Sequence, residues 1–157
     1  MFTLTSSVFA PGDAIPKRYT CDDANVSPPL AWSGAPSGTK SFALIVDDPD
    51  APDPAAPKRV WVHLVLYDIP ATVNELAEGA AHASSVSAAH DALNDDQSLG
   101  WSGPCPPIGR HRYFHKLYAL DTVLGDLKNP PKADLERAMQ GHILAQAELM
   151  GTYQKAK

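Results

Sequence analysis

Fifteen prolines punctuate the chain, ten of them within its first 70 residues, and this distribution forbids a helical first half. Proline lacks an N–H and disfavours helix in the residue before it. Pro11, Pro16, Pro28-Pro29, Pro36 and the cluster from Pro49 to Pro57 therefore mark turns between short extended segments. The pieces between them have strand composition: Phe2 to Phe9 alternates in part, Ser41 to Asp47 reads SFALIVD, Val60 to Ile69 is β-branched and aromatic, and Arg112 to Asp121 reads RYFHKLYALD. Both faces of the segment from Val60 to Ile69 are apolar, which suits a central strand covered on both sides.

Residues 71–100 are rich in Ala, Ser, His and acidic residues and read mostly as loop, with Thr72-x-x-Glu75 as a capping-box pattern opening a short turn of helix. In the tail, Leu135, Met139, Ile143, Ala147 and Met150 recur at helical spacing after Pro130-Pro131, which predicts a C-terminal amphipathic helix. Many short strands followed by one terminal helix indicate a mainly β fold, a two-sheet antiparallel β-sandwich with peripheral short helices. The 157 residues suit a single domain spanning 1–157. An exposed apolar face on the terminal helix would leave room for a homodimer.

Composition narrows the function. The net charge of -5 has the wrong sign for a partner of nucleic acid. No stretch reaches the ~18 apolar residues of a spanning helix, so no transmembrane segment is expected. The start, MFTLTSSVFAPG, has neither a basic region nor an apolar core of signal type, and a cytoplasmic protein is expected. Cys21 and Cys105 form no zinc-binding spacing; reduced thiols are the default reading, and a disulfide would require the two to meet in the fold. The signatures GxSxG, HExxH, GxGxxG and GxxxxGK[ST] are all missing, so no cofactor and no resident metal is expected.

Three polar clusters remain: Asp47-Asp48-Pro49-Asp50-Ala51-Pro52, Trp61-Val62-His63, and the run from Gly103 to Tyr113. Pro49 should end its strand, letting Asp48 and Asp50 project from the turn toward one spot, although Asp-Pro turns commonly serve only as turns. His63 lies in an apolar run and needs a hydrogen-bond partner if buried, whether a core carbonyl or a ligand. In the third cluster Pro104, Pro106 and Pro107 stiffen the approach to His111. A strand period of two then places His111, Tyr113 and His115 on one face and Arg112, free to pair with a carboxylate, on the other.

Taken in order, Asp48-Pro49-Asp50-Ala51-Pro52, the Trp-x-His strand and Gly109-Arg110-His111-Arg112-Tyr113 resemble the phosphatidylethanolamine-binding protein family, also called Raf kinase inhibitor protein. The likeness is greatest to its bacterial YbhB/YbcL-type branch. It extends to the opening SSVFAPGDAIPKRYTCDDANVSPPLAWSGAP and the tail GHILAQAELMGTYQK, and so covers nearly the whole chain. The resemblance implies a β-sandwich with a pocket for phosphate or a phospholipid headgroup, and no catalysis. Residue by residue, it carries ligand-binding roles to Asp48, Asp50, His63, Pro106, Pro107, His111 and Tyr113. Departures occur at Leu64, where an aromatic is expected, at Asp23, where glycine is expected, and over 95–101, DDQSLGW, in place of a glycine-rich approach.

Two carboxylates beneath an anion site would act indirectly, accepting hydrogen bonds from imidazoles and raising their pKa so that the histidines present donors. Binding is then expected to weaken as pH rises. Two alternatives stand beside this reading. One is a metal-assisted ester or phosphoester hydrolase built on Asp48, Asp50, His63 and His111. The other is an inhibitor of a kinase or protease that makes contact through surface loops such as 84–101.

Overall fold

Antiparallel pairing organises every strand of the computed structural model, which describes residues 1–155. Strands β1 (Thr3–Thr5), β2 (Leu30–Ser33) and β5 (Glu75–Leu76) form a small sheet in the order β1-β2-β5. A larger sheet of five strands has the order β6-β4-β3-β7-β8, with β3 (Ser41–Ala51), β4 (Arg59–Pro70), β6 (His90–Asp91), β7 (Arg110–Leu120) and β8 (Ile143–Gln154). Single turns of 3-10 helix at Lys17–Tyr19 and Ala83–Ser85 are the peripheral short helices.

Side-chain alternation explains the layering. Along β3, Phe42, Leu44 and Val46 face the small sheet and share a core with Leu4, Leu30, Trp32 and Leu76. Ala43 and Ile45 point the opposite way and join Val65, Tyr67, Leu120 and two residues of helix α1 (Lys132–Met139). The central strands are thus covered on both faces, as their apolar composition requires. The apolar residues Leu135 and Met139 of α1 are buried against this sheet.

The tail departs from the sequence expectation. After the Pro130-Pro131 start signal only Lys132–Met139 is helical, and Ile143–Gln154 is a strand paired along its length with β7. Gly141, at a φ of +82°, makes the turn between them. Leu135 and Met139 belong to the helix, whereas Ile143, Ala147 and Met150 belong to β8. Nor does Thr72-x-x-Glu75 open a helix, since Glu75 and Leu76 pair with β2.

Two irregularities in the β3–β4 ladder matter for function. Pairing passes from Val46–Leu64 to Asp47–Val62, leaving His63 as an extra residue on β4. It then passes from Asp48–Trp61 to Ala51–Arg59, adding a residue on β3. Pro49 therefore does not end the strand as expected; it lies within the irregular stretch, where no ladder bond to β7 is made beyond Asp47. Residues 12–15 run along the outer side of β8: Gly12 N donates to Met150 O, Ile15 N to Thr152 O and Thr152 N to Asp13 O, at 2.7, 2.7 and 2.9 Å. Among the described residues no helix is long and apolar enough to cross a membrane.

Candidate functional site

Where β3 and β7 stop exchanging ladder hydrogen bonds, side chains take over. Asp48 accepts a 2.6 Å hydrogen bond from Nδ1 of His111, and its other oxygen accepts from the amide of Asp50 at 2.7 Å. Nε2 of His111 faces two carbonyls, Ile108 O at 2.9 Å and Pro52 O at 3.1 Å. Every partner of this ring is an acceptor, so a ring donating from both nitrogens satisfies all of them. Asp50 turns to the opposite face. It accepts from the backbone and the Nε of Arg112 at 2.9 and 3.0 Å, while its second oxygen takes Arg112 Nη2 at 2.9 Å. The guanidinium holds the Asp50 carboxyl below the usual range, against the opposing effect of burial.

Asp48, His63, Pro106, Pro107, His111 and Tyr113 line a single cavity of about 220 Å³, together with Ala51, Pro52, Trp61, Asp96, Gly103 and Cys105. The fold thus brings six of the residues singled out in the sequence to one place. Asp50 is not on the lining; its place is beside Arg112, and it acts on the cavity by tying the rim of β3 to β7. The extra residue on β3 separates two carboxylates that a regular strand would present on one face.

His63 is re-aimed by its position as the unpaired residue of β4. Its Nδ1 donates to Ser102 O at 2.6 Å, and the return contact, Ser102 N to His63 O, closes at 3.0 Å. Nε2 is buried with no partner among the described residues. Burial pushes the His63 pKa down, outweighing the opposing pull of Ser102 O and Asp48. This corrects the expectation that neighbouring carboxylates would raise it. Its proton is committed to Ser102, so His63 shapes the cavity as a neutral ring packed edge-on against Tyr113 at 5.2 Å.

Tyr113 supplies the donor that the histidines do not. Burial, and then the negative charges of Asp48 and Asp50, push its pKa well up, so the hydroxyl stays neutral and protonated. Among the described residues that hydroxyl has no hydrogen-bond partner, although the residue is only 1% exposed. On the rim, the Arg59 guanidinium lies 4.5 Å from the Trp61 ring centroid and pairs with Asp95 at 3.0 Å. Asp96 accepts from the Ser102 hydroxyl. Among the described residues no three His, Cys, Asp or Glu side chains are grouped to hold a metal ion.

The proline loop is closed by a bond the sequence reading did not expect. Cys21 and Cys105 form a disulfide, with Cα atoms 5.4 Å apart across 84 residues of sequence. Only the fold brings them together, whereas spacing alone favoured free thiols. Sequence reasoning also missed Ala51, Pro52, Asp96 and Gly103. Gly103 had a legible signal in its position before Pro104: a Cβ there would lie 2.2 Å from Tyr19 O, so only glycine fits. The Asp95-Asp96 pair carried no comparable signal.

This sandwich carries an Asp–His pair and a proline wall at the end of its large sheet, an architecture shared by one class of β proteins. The family model for phosphatidylethanolamine-binding protein matches residues 5–154, and the chain belongs to that family. It is 46% identical over 153 residues to a UPF0098 protein of Methanothermobacter thermautotrophicus, covering 97% of this chain and 98% of that one. Among solved structures, it superposes on a phosphatidylethanolamine-binding protein homolog from Chlamydia trachomatis with a TM-score of 0.89 and 44% identity, covering 99% of this chain and 98% of the other. Escherichia coli YbcL, described as a member of the mammalian PEBP family, gives 0.87 and 33%, with 99% of each chain covered.

Proposed function

We propose that this protein is a non-catalytic binder of small phosphate esters, taking free phosphate or the headgroup of a phospholipid into the cavity beside Asp48, His63, His111 and Tyr113. The observation that carries this reading is the unpartnered, firmly protonated hydroxyl of Tyr113, placed in a cavity stiffened by Pro106 and Pro107. A phosphate oxygen is the kind of acceptor such a donor lacks, and a charge-assisted bond of this type contributes about 1.5–3 kcal/mol. At about 220 Å³ the cavity is smaller than those that enclose drug-sized ligands, which favours a headgroup over an acyl chain.

Calorimetric titration with inorganic phosphate and with O-phosphorylethanolamine tests the reading. Tyr113→Phe removes the oxygen and keeps the ring, and should weaken both ligands by roughly 10- to 100-fold. Binding unaffected by Tyr113→Phe, or no binding to the unaltered chain, would overturn it. Turnover of aryl phosphates or esters that is lost in His111→Ala would favour the hydrolase alternative instead.

A further inference from the structure

The Cys21–Cys105 bridge fastens one wall of the cavity to the segment near the N-terminus, and it is the one restraint on that wall that thiol chemistry can remove. Ahead of Cys105 the loop is pinned by hydrogen bonds. Trp101 Nε1 donates to Tyr19 O at 3.1 Å, Gly103 N to Asn25 Oδ1 at 2.8 Å, and Cys21 N to Pro104 O at 3.1 Å. Beyond it, Ile108 O is held by His111. Between these anchors lie Cys105, Pro106 and Pro107, all of which line the cavity. Proline has no N–H to give, and among the described residues no backbone hydrogen bond reaches these three. The disulfide is their tether.

The two sulfurs differ in access and surroundings. Cys105 is exposed and Cys21 half-buried, so an incoming thiolate meets Cys105 first. Lys155 places its Nζ 3.8 Å from Cys105 Sγ, and a cation beside sulfur favours the thiolate. Exposed disulfides are the readily exchanged ones.

We propose that Cys105 is a thiol–disulfide exchange site whose state sets how tightly the cavity holds its ligand. The co-reactant is a dithiol. One of its thiolates attacks Cys105 Sγ, the Cys21–Cys105 bond breaks, and Cys21 leaves as a thiolate that takes up a proton. The second thiolate of the reductant then attacks its own sulfur in the mixed disulfide. Cys105 is released as a thiolate beside Lys155, and the reductant departs as a disulfide, having given two electrons in all. The wall loses its tether, so a ligand must now order Cys105, Pro106 and Pro107 as it binds, a cost that the oxidised form does not carry. The proposal rests on reading the cavity as a phosphate-ester site.

The test is calorimetric titration of O-phosphorylethanolamine into the full chain when oxidised, when reduced with dithiothreitol, and after reoxidation, with Cys21→Ser/Cys105→Ser alongside. Reduction should weaken binding about tenfold, the double variant should bind like the reduced chain, and reoxidation should restore affinity in the unaltered chain alone. Circular dichroism on each sample should show the fold intact. Lys155→Ala, which leaves the bridge in place, should slow thiol release by dithiothreitol several-fold. Tight binding that is indifferent to redox state would overturn this proposal and leave the ligand reading standing. No binding by the oxidised chain would overturn both. A reduced chain whose dichroism collapses would also overturn it, since the bridge would then hold the whole fold rather than the wall.

Discussion

His111 and His115 project from the same face of β7, and both are about 1% exposed or less, yet their surroundings differ completely. His111 meets a carboxylate and two carbonyls. His115 lies between the rings of Phe9 and Trp101, at 5.6 and 5.9 Å, and neither of its nitrogens makes a hydrogen bond. Burial pushes its pKa down to about 4, with the carbonyls of Tyr113 and Leu149 near enough only to oppose the shift. Depth alone therefore does not make a histidine part of a site. What separates the two is whether β3 still exchanges ladder bonds with β7: it does at His115, opposite Val46, and has stopped doing so by His111.

The largest break in this contrast comes from Asp48→Ala. Removing one partner of a buried, hydrogen-bonded pair costs about 3–5 kcal/mol, and denaturant unfolding should show a loss in that range. A loss below about 1 kcal/mol would mean that the Asp48–His111 contact contributes little.

Acid should act next, through His115. Its folded pKa of about 4 lies below the ordinary histidine value, so as pH falls the unfolded chain takes up a proton that the folded chain refuses. Stability is fully present above about pH 6.5 and declines toward pH 4, by at most about 1.4 kcal/mol per pH unit for this group. His63, lowered by the same cause, adds in the same direction. Unfolding free energies measured across that interval should slope accordingly, and His115→Leu should flatten the slope. If the variant keeps the full slope, the acid sensitivity belongs elsewhere.

At neutral pH the same His115→Leu change should stabilise the protein by about 1 kcal/mol, because it removes buried polar atoms that lack partners. Ligand affinity should stay unchanged, whereas any substitution at His111 should disturb it. The smallest effect is expected from Arg112→Ala. This side chain is 51% exposed, and an ion pair so open to solvent contributes under about 1 kcal/mol; moreover, the backbone amide of residue 112 still donates to Asp50. A larger loss would promote Asp50 from rim tie to essential support of the cavity.

Particular residues show why some of this was legible in sequence and some was not. Prolines and β-branched runs marked the central strands, and the polar clusters that survived motif screening do converge on the cavity. The tail misled because Met139, Ile143 and Ala147 are four apart, a spacing close to one helical turn and equal to two full pleats of a strand. The burial of Ala147, Leu149, Gly151 and Tyr153 at every second residue identifies the strand after the fact. Asp50 is expected beside Asp48 because Pro49 should end the strand and let both project from one turn, and no local pattern announces that the strand continues with an extra residue that parts them. The disulfide was invisible for a simpler reason: proximity of residues 84 apart is a property of the fold.

The strip of chain at Gly12 to Ile15, bonded to the outer side of β8, has a consequence for how molecules of this kind coexist in concentrated solution. A bare sheet rim invites another polypeptide to add itself, and repetition of that event produces fibres. Here the chain occupies the far end of its own rim with backbone that is already committed, so accretion there would first have to displace a covalently attached competitor.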